Sequence, residues 1–149
     1  LVISAFSKTS CAAVMRRVRS RDTSPELRLR KLLTSLGARY RLNRRDLPGT
    51  PDIVMPGRRL AIFVHGCFWH GHDCPRGARV PQANRDYWVA KVGRNRERDA
   101  RSEAGLKALG WRVEVVWECE FKDAEALRRR ARAWLAPLNP VSEEFPPGA

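Results

Sequence analysis

Two short apolar runs separated by a tight turn restrict this chain more than any other feature. Asp52-Ile53-Val54-Met55 and Leu60-Ala61-Ile62-Phe63-Val64 flank Pro56-Gly57-Arg58-Arg59. Proline and glycine side by side punctuate the chain, so the tetrapeptide reads as a turn and the runs as an antiparallel hairpin. The second run lacks polar alternation, and a strand of that kind is buried on both faces. If Met55 pairs near Leu60, Asp52 falls opposite Phe63. Side chains alternate along a strand, so Phe63 and His65 share the face of Asp52 while Val64 points away. An aspartate opening one strand, beside a polar residue ending its partner, suits Mg²⁺, which takes one or two carboxylates and completes its shell with water and phosphate oxygens. The plainer alternative is that Asp52 ends a loop and His65 caps a strand.

The remaining pattern alternates helices with strands. Ser24 is a candidate N-cap, Pro25 suits the first helical position and Glu26 the positive end of the dipole. Leu29, Leu32, Leu33 and Leu36 then recur on one face, and Gly37 supplies the stop. Ala38 to Leu42 is a short candidate strand. Asn84 to Leu109 reads as a long charged helix, interrupted near Gly93 and ended by Gly110. Trp111 to Trp117 reads as a strand and Asp123 to Leu135 as a last helix. The expected architecture is an α/β domain over residues 23–136, preceded by a basic arm (1–22) and followed by a Pro-rich tail (137–149).

Lys and Arg number 29 against 16 Asp and Glu, a formal net charge of +13. Residues 1–45 hold twelve of the basic side chains and only two acidic ones, Asp22 and Glu26. Such asymmetry points to a polyanionic partner, most simply nucleic acid. No run reaches transmembrane length, and the apolar start Leu1-Val2-Ile3 is too short for a signal segment. Four scattered cysteines without a secretory signal are expected as reduced thiols in the cytoplasm, some of them on metal.

His65-Gly66-Cys67-Phe68-Trp69-His70-Gly71-His72-Asp73-Cys74 holds all three histidines and two of the four cysteines. Cys67, His72, Cys74 and Cys119 can form a closed Cys₃His zinc site, structural because four protein ligands leave no open position. A buried free thiol is the alternative for Cys119, and Cys11 stays outside the set. His70, with an ordinary pKa of about 6.5, suits a general base acting on water. Phe68 and Trp69 are either core residues or a wedge. A wedge entering a base stack costs a few kcal/mol, stacking returns roughly 1–3 kcal/mol per base, and a mismatched step is already weakened.

Four stretches carry a family resemblance: Met15-Arg16-Arg17-Val18-Arg19-Ser20-Arg21-Asp22-Thr23-Ser24-Pro25-Glu26, Pro48-Gly49-Thr50-Pro51-Asp52, His65 through His70, and Trp117-Glu118-Cys119. Over residues 10–135 the chain resembles the very short patch repair (Vsr) DNA mismatch endonucleases. The resemblance implies a restriction-endonuclease-like fold, a PD-(D/E)xK variant with a central mixed sheet flanked by helices. Phe63-Val64-His65 would stand where the acidic-x-lysine element usually lies. It implies an endonuclease that nicks one strand 5′ to the thymine of a T·G mismatch, the lesion left by deaminated 5-methylcytosine.

Carried over by residue, the resemblance makes Asp52 the Mg²⁺ ligand between two ions, joined by the backbone carbonyl of Val64. His65 contacts phosphate, His70 is the base, and Glu26 is an accessory acid acting through water. Cys67, His72, Cys74 and Cys119 match the zinc ligands, and Phe68 and Trp69 the wedge. Met15 enters from the minor-groove side, and Arg19 and Asn95 are further DNA contacts. Val64 replaces a threonine and Asp73 a histidine of the best-known pattern. The implied partners are double-stranded DNA with a T·G mismatch and MutL, with the enzyme a monomer. The competing expectations are a restriction or mobile-element nuclease without mismatch preference, and a non-enzymatic zinc-stabilised DNA-binding module.

Overall fold

A computed structural model describes residues 23–137. The basic arm with Cys11, Met15 and Arg19, and the tail beyond Pro137, lie outside the described residues.

The first helix, α1 (Ser24–Ser35), buries Leu29 and Leu33, with Leu32 and Leu36 at the margin of the same stripe. Its N-cap is Thr23 rather than Ser24, and no side chain caps it. The Thr23 carbonyl already accepts the Leu27 amide at 3.0 Å, which draws Ser24 and Pro25 into the first turn. At the other end Gly37 takes φ 80°, the left-handed conformation glycine adopts at little cost. The Ala38 amide then reaches the Leu33 carbonyl and the Gly37 amide that of Thr34, a Schellman closure.

Strands β1 (Arg41–Leu42), β2 (Ile53–Met55), β3 (Leu60–His65) and β4 (Arg112–Trp117) lie in that order in one sheet. The β2–β3 hairpin has the expected register, Met55 to Leu60 and Ile53 to Ile62, around a 3₁₀ turn at Pro56–Arg58. β4 runs parallel to β3, and the crossover between them is α2 (Arg85–Ala108). The sheet is therefore mixed and covered on both sides. Ile53, Met55, Leu60, Ile62 and Val64 pack towards α1 and the last helix, α3 (Ala124–Trp134). Val54, Ala61 and Phe63 pack the other way, against Leu47 and Leu106 of α2. All six residues of β3 are buried, which accounts for its unbroken apolar run.

α3 starts on Asp123, whose Oδ1 accepts the Ala126 amide at 3.0 Å. It ends on the Arg58 guanidinium, which donates to the carbonyls of Trp134, Leu135 and Ala136. A cation there also opposes the negative end of the helix dipole. α2 runs without a break through Gly93, contrary to the expected interruption. One exposed glycine costs about 1 kcal/mol relative to alanine, too little to break a helix of 24 residues held at both ends. Among the described residues, no helix is long and apolar enough to cross a membrane.

α2 also grips the loop that leads into β2. Gly49 lies so close to the helix that an added Cβ would sit 2.5 Å from the Ser102 Cβ, and Pro48 rests over Gly105. Small residues on both sides allow this approach.

Candidate active site

The hairpin register places Asp52 opposite Phe63, one step beyond the Ile53–Ile62 pair. Its Oδ2 accepts the Val64 amide at 2.7 Å, which ties the carboxylate to the end of β3. Glu26, from the first turn of α1, is buried beside it and pairs with Arg30 at 3.5 Å. Burial pushes the Asp52 carboxyl up to about 7; the Val64 amide opposes this, and the Glu26 carboxylate adds to it. Two crowded carboxyl groups in a poorly solvated site need a shared proton or a cation. The donors are all oxygen, a set that fits a hard divalent ion such as Mg²⁺.

His65 closes β3 on the same side, where its ring stacks on that of His70 at 3.8 Å between centroids and 2° between planes. Burial, and then the neighbouring His70, lower the His65 pKa to about 4, with Asp99 pulling the other way. His70 Nδ1 lies 2.6 Å from Asp99 Oδ2, a charge-assisted hydrogen bond, while His65 Nε2 is 3.9 Å from the other oxygen. With Nδ1 occupied by Asp99, His70 has Nε2 left to act as a base. The sequence reading passed over Asp99. A signal for it existed: Asn95 and Asp99 are four residues apart in a helix and so share a face.

These groups line one cavity of about 650 Å³. Asp52 and Glu26 contribute from the hairpin and α1, His65 and His70 from β3 and its loop, and Asn95 and Asp99 from α2. Trp69 adds an aromatic wall, and Arg45, Lys91 and Arg98 make the rim basic. A carboxylate pair facing an oriented imidazole, under a cationic rim, can bind a phosphodiester, hold a divalent ion and deprotonate a water.

Phe68 and Trp69 are half-buried and meet edge to face at 4.9 Å. Trp88, fully inside, backs both at 5.7 Å, a supporting residue that the sequence reading also missed. The Asn95 amide donates to the Trp69 carbonyl at 2.8 Å. Gly71, at φ 64°, lies on α2 so closely that a Cβ would crowd Val92 and Arg96. The aromatic loop is thus pinned by its backbone and backed by Trp88, with both rings half-buried.

Cys67, His72, Cys74 and Cys119 converge, with their ligand atoms within 4.8 Å of one another. Cys67 Sγ accepts the Cys119 amide at 3.3 Å, and Cys74 Sγ the Gly77 amide at 3.2 Å. Gly77 packs so tightly on the His72 carbonyl that no Cβ fits. Burial pushes the Cys67 thiol up to about 12, whereas the Gly77 amide draws Cys74 down to about 7. Three sulfurs and an imidazole converging in this way are a donor set that suits a soft cation, which would bind them as thiolates.

A family model described as DNA mismatch endonuclease Vsr matches residues 4–76. The chain is 57% identical over 124 residues to the type II nicking enzyme V.XorIIP of Xanthomonas oryzae pv. oryzae, covering 83% of this chain and 90% of that protein. It is 44% identical over 126 residues to the DNA mismatch endonuclease Vsr of Escherichia coli K12, covering 81% and 80%. It is 42% identical over 125 residues to the type II nicking enzyme V.NmeAIP of Neisseria meningitidis serogroup A, covering 84% and 89%. The chain belongs to the Vsr DNA mismatch endonuclease family.

Proposed function

We propose that this protein is a mismatch endonuclease of very short patch repair, nicking one strand of duplex DNA 5′ to the thymine of a T·G mismatch. The observation that carries the reading is that one cavity is lined by both the Asp52–Glu26 carboxyl pair and the Asp99-oriented His70. Asp52 and the Val64 carbonyl would hold Mg²⁺, with two ions in the complete site and Glu26 acting through water. The metal supplies charge neutralisation at the attacking and leaving oxygens. His70 takes a proton from the attacking water at Nε2, and Asp99 steadies the imidazolium that results. His65, kept neutral by burial, donates a hydrogen bond to the phosphate instead of bringing a second charge.

Phe68 and Trp69 form the wedge that tests the base stack, held at fixed height by Asn95 and Trp88. Met15 enters from the other groove and Arg19 neutralises phosphate, both from the arm 1–22. Asn95 borders the cavity and serves the DNA as well as the loop. Zn²⁺ on Cys67, His72, Cys74 and Cys119 is structural. The fold is restriction-endonuclease-like over 23–136, with 137–149 a tail. The enzyme works as a cytoplasmic monomer and hands its nick to repair with MutL.

The test compares duplexes that differ only at the mismatch. A T·G duplex is nicked with Mg²⁺ and a matched T·A duplex is spared. Equal cutting of the two would leave a nuclease without mismatch preference, and no cutting with any divalent ion would leave a DNA-binding module.

A further inference from the structure

His65 is the one ring of the catalytic pair that no hydrogen bond orients. Its Nδ1 is buried without a partner among the described residues, and its Nε2 lies 3.9 Å from Asp99, beyond hydrogen-bonding distance. The ring is nevertheless parallel to His70 within 2°. Its orientation therefore comes from packing: Phe63 lies against it tilted at 5.7 Å, and Trp117 meets it more closely and links it to the other histidines.

Trp117 ends β4 directly beside His65, its partner in the parallel ladder. Its backbone is fixed by the Glu120 carboxylate, which accepts the Trp117 amide at 2.7 Å. The indole stacks on the His72 ring at 4.2 Å and 16°. The same indole meets His65 edge to face at 5.2 Å and 69°, and reaches His70 at 6.5 Å. Edge-to-face contacts between aromatic rings are directional, since a positive rim prefers a negative face. One side chain thus touches all three histidines: the candidate metal ligand and both members of the candidate catalytic pair. Trp117 is absent from the lining of the large cavity. It borders a smaller one of about 210 Å³ behind the histidines, with Phe63, Val113 and Val115.

We propose that Trp117 is a positioning residue, an indole partition through which the metal-braced His72 sets the orientation of the His65–His70 stack. The proposal rests on the reading of His65 and His70 as the catalytic pair.

The test uses the full-length, zinc-loaded protein. Steady-state nicking of a T·G duplex is measured for Trp117→Leu and Trp117→Phe beside zinc content and the imidazole NMR spectrum. With three histidines in the chain, that spectrum holds three ring systems. Loss of a group that orients others typically costs about 10- to 100-fold, so Trp117→Leu should lose kcat in that range while KM and zinc content hold. Trp117→Phe, which keeps a ring, should recover most of the loss. The His65 resonances should broaden or double in Trp117→Leu while those of His72 stay single.

Wild-type kcat in Trp117→Leu overturns the proposal. So does an equal loss in Trp117→Phe. Trp117→Met, flexible and ringless, is the second variant, and failure of both ringless variants to keep zinc assigns Trp117 to packing alone. His70→Ala separates the layers. If it nicks normally, the catalytic-pair reading falls. If it is silent while Trp117→Leu is fully active, only the positioning role falls.

Discussion

Two clusters of ionisable side chains share the stretch from His65 to Cys74 and draw their other members from elsewhere in the chain, yet they are built to opposite plans. The Asp52–Glu26–His65–His70–Asp99 group opens onto a cavity of about 650 Å³. The Cys67–His72–Cys74–Cys119 group is closed, with its donors within 4.8 Å of one another and backbone amides donating to two of the sulfurs. In the open cluster a carboxyl is pushed up to about 7 and an imidazole down to about 4, so burial favours the neutral form of each. In the closed cluster burial pushes one thiol up and the Gly77 amide draws another down. Openness suits the first cluster to acting on a ligand, and closure suits the second to bracing the chain.

The sharpest way to break this contrast is to remove one member of each cluster. Asp52→Asn should lower nicking by about 10³-fold, in the range of a lost centre for transition-state charge, while duplex binding holds and the melting temperature does not fall. A gel nicking assay beside calorimetry measures both, and a fall in melting temperature would move Asp52 into the structural class. Cys119→Ser should do the reverse. Zinc content drops and stability falls by about 4 kcal/mol or more, the scale of a lost metal site. Intact stability with no metal bound would leave the cluster as packed thiols.

Next in size is a pH effect on zinc-loaded protein without magnesium. Between pH 3.8 and about 7 the folded state keeps the Asp52 proton that the unfolded chain releases, so stability falls as pH rises. Between about 4 and 6.5 the folded state excludes the proton that His65 takes up when unfolded, so stability climbs. Each slope amounts to about 3–4 kcal/mol at full extent, and over the shared window they nearly cancel. Zinc release on unfolding adds its own pH dependence to both proteins, so the two are compared by denaturant unfolding: Asp52→Asn should gain about 3–4 kcal/mol on wild type as pH rises from about 4 to 7. No gain would refute the raised Asp52 carboxyl.

The smallest effect sharpens the open cluster itself. Asp99→Asn keeps a hydrogen-bonding group at His70 without its charge, and the loss should be about 10- to 100-fold in kcat with KM unchanged. A change confined to KM would place Asp99 in substrate binding.

The difference between what the sequence disclosed and what it concealed follows the same division. The hairpin was legible because the four-residue turn Pro56–Arg59 and two apolar runs admit one register, and that register carries Asp52 to His65. The Cys₃His set was legible because its ligand types are scarce in this chain. α1 could be read from its leucine stripe, with the cap displaced by one residue to Thr23. Asp99, Trp88 and the grip on Gly49 were not legible, and all belong to α2. That helix buries Trp88, Asn95 and Leu106 within 24 residues, so it shows no continuous apolar face. A helix that covers a polar site instead of a core carries little of the 3.6-residue pattern from which a face is read.

α2 has a further consequence, one of phase. From Trp88 to Leu106 it presents successive supports to the aromatic loop, the His70 ring, the Asp52 loop and the sheet. Each turn advances about 100° per residue, so one inserted or deleted residue between Asn95 and Asp99 would swing every later support off its target. Its outward-facing residues can vary freely, but its length cannot. The aromatic loop and the candidate base are both positioned by residues counted off on a single rod.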